Sequence, residues 1–263
     1  MKRRIVIISD CKDVAYNEMR QSIQNYLDKY NKLNLEIEIE PFVPIANFSM
    51  INATFLARLM ADIYPSGTIF MTIIGSTKDK THRIFGETKS GHIFVGANTG
   101  IFSWLIKDFG LKCAYLFKEQ GWISFGGKYA SPKITAQIAC GKKYGEIGSP
   151  LPKNIALNKI NIPLGTIVHI DNFGLMKINQ HPLKIKEGTK VDIYLNSIKK
   201  LEAVCAERMM DYNDGQWVLY NGSSLNHLPE LGRVRMDTSD KDLNAKVGDI
   251  ITWRIKKNGI SKN

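Results

Sequence analysis

Ile5-Val6-Ile7-Ile8-Ser9-Asp10, with the segment Asp13 to Tyr30 behind it, decides the fold of the first half of the chain. The opening run is apolar at every position and too short for a buried helix, so it reads as a strand covered on both faces, as in a parallel sheet. It ends on a carboxylate. The next segment places Val14, Met19, Ile23 and Leu27 on one face of an amphipathic helix. Further along, Leu35 to Ile39 alternates apolar and acidic residues, as a strand with one wet face does. Met50 to Tyr64 predicts a second helix, stopped by Pro65 and Gly67. Thr68 to Ile74 predicts another buried strand, which runs into a polar, basic loop from Gly75 to Arg83. His92 to Val95 predicts a strand, and Ile101 to Phe109 a helix closed by Gly110. Strands alternating with helices indicate an α/β domain of three layers around a mainly parallel sheet. Ligands in such sheets sit beyond the carboxyl ends of the strands, where Asp10 and the loop from Gly75 fall.

The pattern changes past the middle of the chain. Residues 146–163 are rich in proline and read as a linker between a domain over residues 1–145 and another over 164–263. The second holds short strand-like stretches at Gly165 to Ile170, Lys190 to Leu195, Gln216 to Tyr220 and Asp249 to Ile255. Turn signals at Asn172 to Gly174, Asp214-Gly215 and Asn221-Gly222 separate them, which predicts a smaller β-barrel domain.

With 263 residues and 44% hydrophobic content the chain can bury a sizeable core. No apolar run is long enough to span a bilayer, and the apolar stretch after Lys2-Arg3-Arg4 is too short for a signal peptide, so a cytoplasmic protein is expected. The four cysteines lie far apart and form no Cys-x-x-Cys pair, which speaks against a zinc knuckle and for reduced thiols. Cys11 reads as a small packed residue. The net charge of +11 favours anionic partners. The basic residues form no stripe and accompany no nucleic-acid motif, so pairs such as Lys142-Lys143 and Lys199-Lys200 read as solvated surface.

Several fragments now fall into a shared order: Ser9-Asp10 with Asp13 and Met19-Arg20; Phe55-Leu56-Ala57 leading to Tyr64 through Thr68; Phe94 through Gly100; Ser124-Phe125-Gly126-Gly127-Lys128 with Pro132; Ile170 through Gly174; and Asn221-Gly222-Ser223. In that order they resemble the landmarks of the S-adenosylmethionine hydroxide adenosyltransferases and the related fluorinase and chlorinase. The resemblance spans roughly residues 5 to 255. It implies a homotrimer in which each ligand lies between one subunit's first domain and a neighbour's second. It also implies displacement of methionine from the 5′ carbon of an adenosyl group, by water in the hydrolases. No cofactor and no metal are expected. The expected partners are a small adenosyl ligand and further copies of the chain, with neither membrane nor nucleic acid.

A sulfonium leaves without protonation, so such a site must align the nucleophile with the C5′–S bond and exclude bulk water. The resemblance makes Asp10 the acceptor for the ribose hydroxyls. The residue types alone also allow a cap for the helix that follows. Asp171 aligns with the aspartate that holds the methionine ammonium, or is a plain turn residue. Phe48 and Phe125 align with aromatic walls, and core packing is the competing reading for each. The resemblance also places Asp13, Thr77, Asn98, Gly127, Lys128, Phe173, Asn221 and Ser223 around the ligand.

The chain departs from the family where water is activated. The relatives' catalytic aspartate becomes Gly75, its arginine becomes His82 with Arg83 beside it, and the catalytic histidine becomes Gly126. An adenine-contacting asparagine becomes Leu175. A serine near the methionine tail becomes Gly222, which is expected to open space. Three readings follow. In an altered hydrolase, Asp79 or His82 orients water, assisted by Thr77, Lys78 or Arg83. In a hydrolase of changed substrate, Lys78, Lys80, His82, Arg83 and Lys128 make a cationic pocket, widened at Gly222, for a phosphate-bearing derivative. In the third, the chain binds the ligand without cleaving it.

Overall fold

A computed structural model describes residues 2–75, 81–118 and 125–256. The chain divides into two compact units, Met1–Ile160 and Asn161–Asn263. Among the described residues, no helix is long and apolar enough to cross a membrane.

The first unit runs β1 (Arg3–Ser9), α1 (Asp13–Tyr30), β2 (Ile37–Ile39), β3 (Val43–Pro44), α2 (Met50–Ile63), β4 (Ile69–Ile73), β5 (Arg83–Thr88), β6 (Ile93–Ala97), α3 (Ser103–Phe109), β7 (Leu111–Phe117), α4 (Gly126–Ala139), α5 (Tyr144–Ile147) and β8 (Gly148–Pro150). The sheet order is β2-β1-β4-β6-β5-β7-β8, with β3 also paired to β1. One face of the sheet packs Ile5, Ile7, Ile69, Met71 and Phe85 against Met19, Ile23 and Leu27 of α1 and Ile134 of α4. On the other face Phe94 meets Phe102 at 4.8 Å between ring centroids, and Phe55 of α2 lies 5.9 Å from Trp104 of α3.

Local chemistry sets the helix ends. Ser49 caps α2 by accepting from the Asn52 N–H at 3.2 Å, and α3 stops at Gly110, whose φ of 69° suits glycine. Pro132 lies inside α4 and cannot donate to the Lys128 carbonyl. The Ser22 hydroxyl of α1 donates to that carbonyl at 2.8 Å, so the helix keeps its course.

Two sequence expectations are refined here. The sheet is parallel only from β2 and β3 through β1 and β4 to β6; β5, β7 and β8 join antiparallel. The reason is the short connection after β5, where Gly91 has φ 87° and donates its N–H to Thr88 O at 2.9 Å. So short a link allows only a hairpin, whereas a parallel pair needs a long crossover. The stretch 146–163 is also more than a linker. It supplies the end of α5 and all of β8, and residues 156–158 are held to Asn98.

The second unit contains β9 (Thr166–Ile170), β10 (Met176–Asn179), β11 (Lys190–Leu195), β12 (Ile198–Ala206), β13 (Trp217–Asn221), β14 (Pro229–Arg233), α6 (Ser239–Leu243) and β15 (Ile251–Ile255). Its sheet order is β15-β11-β12-β13-β14-β10-β9. The two end strands also meet: Ile167 N–H donates to Asp249 O, and Ile251 N–H to Gly165 O, each at 2.8 Å. Ile167, Met176, Ile178, Val191, Ile193, Leu219 and Leu231 form the core.

Candidate functional site

In the first unit the chain leaves β1 toward β2 on one side and returns through α2 to β4 on the other. The carboxyl ends of β1 and β4 therefore flank the point where strand order reverses, which is where open α/β sheets hold their ligands. Asp10 stands there. Its Oδ2 accepts the Phe48 N–H at 2.8 Å, and its Oδ1 accepts the Gly75 N–H at 2.8 Å. One carboxylate thus ties together the loops after β3 and β4. Helix capping is not its role: the cap of α1 is Lys12, with no side-chain cap bond. Each carboxylate oxygen has a second lone pair, so the group can still accept from a diol.

Three non-glycine residues around this crevice are left-handed: Asp13 at φ 54°, Phe48 at 58° and Phe125 at 57°. Such backbone costs of order 1–3 kcal/mol per residue and persists where surroundings enforce it. Phe48 is 73% exposed and Phe125 78% exposed, so neither is a core residue. A Cβ on Gly75 would meet the Phe48 ring at 2.6 Å and Asp10 Oδ2 at 3.3 Å. The place of a side chain at 75 is therefore taken by an aromatic ring.

Phe125 begins α4, and the two glycines after it carry close contacts. A Cβ on Gly127 would lie 2.8 Å from Ile73 Cγ2, at the end of β4. A Cβ on Gly126 would overlap the Arg83 guanidinium. Arg83 opens β5, opposite Ala97. Lys128 turns away: its ammonium sits 2.7 Å from Glu18 of α1. His82 is exposed, and its carbonyl accepts the Asn98 N–H at 2.8 Å. Asp13 is exposed as well. Thr77, Lys78, Asp79 and Lys80 lie outside the described residues. Asn98, 5% exposed, donates to Ala156 O and accepts from Asn158 N–H, each at 2.9 Å, so both ends of its amide hold the chain rather than point into the crevice. Among the described residues, no three His, Cys, Asp or Glu side chains converge as metal ligands do.

In the second unit Asp171 builds its own turn. Its Oδ1 accepts the N–H groups of Phe173 at 2.9 Å and Leu175 at 3.0 Å. Phe173 is 58% exposed beside it, and Ser223 is exposed. Asn221 pairs with the Leu183 backbone, accepting its N–H at 2.7 Å and donating to its carbonyl at 3.2 Å. The space expected at Gly222 is not open. A Cβ there would overlap the Glu230 carboxylate.

Glu230 belongs to a polar row that the sequence reading did not find. His169, Lys177, Glu230 and Tyr220 are register partners across β9, β10, β14 and β13. Glu230 is 3% exposed; it accepts from the Lys177 ammonium and, at 2.6 Å, from the Tyr220 hydroxyl. Burial, then the bond to Glu230, pushes the Tyr220 hydroxyl far above its ordinary pKa. Burial, then the charge of Lys177, pushes His169 below its ordinary 6.5. A charge flanked by apolar residues, Leu228-Pro229-Glu230-Leu231, was the available signal; the strand pairing that completes the row was not.

His169 carries a prediction. With its folded pKa lowered, neutral His169 contributes stability in full above its unfolded value and loses it as pH falls through the folded value. The second unit should therefore melt at lower temperature as pH drops from about 7 to about 5, and His169→Gln should flatten that dependence. Equal slopes for parent and variant would assign the effect elsewhere.

The chain matches the SAM hydroxide adenosyltransferase N-terminal domain over residues 5–148, more than half its length. It is 26% identical over 180 residues to the (R)-S-adenosyl-L-methionine hydrolase of Methanocaldococcus jannaschii, an alignment covering 64% of each chain. In fold it is similar to an uncharacterized conserved protein from Thermotoga maritima, at a TM-score of 0.79 and 17% identity over 95% of this chain and all of that one. A conserved hypothetical protein from Thermus thermophilus gives a TM-score of 0.73 and 15% identity over 96% of this chain and all of that one. The carboxylate at the end of β1, the reversal of strand order beside it and this match over most of the first sheet lead to one conclusion: the chain belongs to the SAM hydroxide adenosyltransferase family.

Proposed function

We propose that the protein hydrolyses the C5′–S bond of S-adenosylmethionine or of a phosphate-containing derivative, releasing an adenosine product and methionine or its conjugate. The observation that carries the proposal is the Asp10 carboxylate, fixed by two backbone N–H groups at the β1–β4 crevice with lone pairs left for a ribose diol. The Methanocaldococcus jannaschii relative, a hydrolase of this kind by name, supports it. In this reading Phe48 and Phe125 wall the sugar and sulfonium, and Asp171 meets the ammonium of the methionine part. The second unit closes as a barrel, and that of a neighbouring subunit completes each site of a cytoplasmic homotrimer. Water attacks C5′ in line with the departing sulfur; the C5′–O bond forms, the C5′–S pair leaves with methionine, and the water releases its second proton.

A histidine that takes that proton is within reach of the ordinary chemistry of the side chain. His82, the residue before β5, fills this role in our reading, assisted by Asp79, Lys78 or Thr77 of the preceding sequence. His82→Ala should lower turnover by about 10²–10⁴ with little change in affinity. A variant running at the parent's rate would end its part.

Chromatography of products decides among the alternatives. Adenosine and methionine from S-adenosylmethionine support hydrolysis of that compound. Cleavage only of a phosphorylated derivative supports the altered substrate. Tight binding without product from either overturns hydrolysis and leaves a binding protein. One observation favours that last reading: at two of the three positions where the resemblance places water-activating side chains, Gly75 and Gly126, a Cβ would meet Phe48 and Arg83.

A further inference from the structure

Ser90, Gly91 and His92 close the hairpin between β5 and β6, away from the Asp10 crevice. β4 and β6 run parallel, with Ile69 beside Ile93, so this hairpin lies at the end of the sheet opposite to Gly75, roughly 20 Å away along the strands. The turn is tight. Gly91 N–H donates to Thr88 O and Gly67 N–H to Gly91 O, each at 2.9 Å.

A nucleophile and a base meet on it. Ser90 Oγ lies 3.0 Å from His92 Nδ1, and His92 Nε2 lies 3.2 Å from Tyr64 O. A carbonyl only accepts, so Nε2 carries the ring proton and Nδ1 is left as an acceptor. The one proton of the Ser90 hydroxyl therefore goes to Nδ1. In the 2.9 Å contact between the Ser90 and Thr88 hydroxyls, Thr88 is then the donor. Ser90 Oγ keeps a further lone pair, and the residue is exposed. His92 is 5% exposed, and its ring packs on those of Phe70 and Phe109, at 5.8 Å and 5.2 Å between centroids. An exposed hydroxyl, a base within hydrogen-bond reach and a third group that fixes the base's tautomer form the arrangement that activates serine for acyl transfer. A Cβ on Gly91 would overlap Ser66 Oγ, so a second hydroxyl stands next to the nucleophile, where a developing oxyanion needs a donor.

We infer that Ser90 is a nucleophile activated by His92, and that it accepts acyl groups from small carboxylic esters. Ser90 Oγ adds to the ester carbonyl carbon as its proton passes to Nδ1. The bond to the alcohol oxygen breaks, its electron pair leaves with that oxygen, and the oxygen takes the proton from His92. The acyl group stays on Ser90 until water repeats the sequence and releases the acid. The inference stands apart from the adenosyl reading, since the two sites share no residue.

Incubation of the full chain with a fluorophosphonate, which traps activated serines, followed by peptide mass spectrometry tests this. Ser90 should be modified about 10² times faster than Ser197, an exposed serine in the turn between β11 and β12. In urea, which separates Ser90 from its histidine without any substitution, the two serines should react alike. His92→Gln should slow modification of Ser90 by about 10² while leaving Ser197 as it was. Continued release of nitrophenolate from p-nitrophenyl acetate should be lost in Ser90→Ala; release that persists there overturns the acyl transfer. Equal rates at Ser90 and Ser197 in the folded parent, or a difference that persists in urea or in a folded His92→Gln protein, overturns the inference and leaves the Ser90 hydroxyl as a turn contact.

Discussion

Asp10→Ala is expected to abolish binding of the adenosyl ligand. Two charge-assisted bonds from a ribose diol, at about 1.5–3 kcal/mol each, correspond to an affinity loss of about 10²–10⁴. The same substitution removes the acceptor of two backbone N–H groups, those of Phe48 and Gly75. It should therefore also lower the melting midpoint, by about 5 °C if half-exposed bonds of this kind are worth about 2 kcal/mol together. Asp10→Asn separates the effects. One amide oxygen still accepts from the chain, so the melt should shift less, while the lost charge still weakens the diol contact. Calorimetry showing parent affinity in Asp10→Ala would remove Asp10 from the site.

Gly222→Ser, which supplies the hydroxyl that the resemblance led us to expect there, should destabilise the second unit rather than improve ligand binding. Any Cβ at 222 overlaps the Glu230 carboxylate, and Glu230 cannot move without breaking its bonds to Lys177 and Tyr220. Breaking a buried pair of this kind costs about 3–5 kcal/mol, a fall of at least about 10 °C in the melting midpoint of a unit this size. Glu230→Ala should cost a similar amount because it strands Lys177, whose side chain is 13% exposed. Combined, the two substitutions should cost far less than their sum, since removing Glu230 makes room for the serine. A Gly222→Ser protein that melts within about a degree of the parent would show that the row is not held as described.

Read alone, the linear order of residues was enough for the strand β1, the helices α1 to α3 and the place of Asp10, because these depend on local periodicity and on the rule that ligands sit at strand ends. It also singled out Gly75 and Gly126 as departures. It did not reveal β5, β7, β12 or β14. In β12 the pair Lys199-Lys200 looked like plain surface, and β5 was hidden behind the basic loop that precedes it. Local pattern is weak where a strand mixes charge and apolar residues, because the partner strand decides which face is covered.

What fills the space beside a glycine is a property of residues distant in the chain, and no local pattern encodes it. The ring of Phe48 at Gly75, the guanidinium of Arg83 at Gly126 and the carboxylate of Glu230 at Gly222 come from other elements. A missing side chain reads in one dimension as a vacancy. In close-packed protein such volume is taken up by neighbours, and only the folded arrangement shows whether the neighbour is a ring, a cation or an anion.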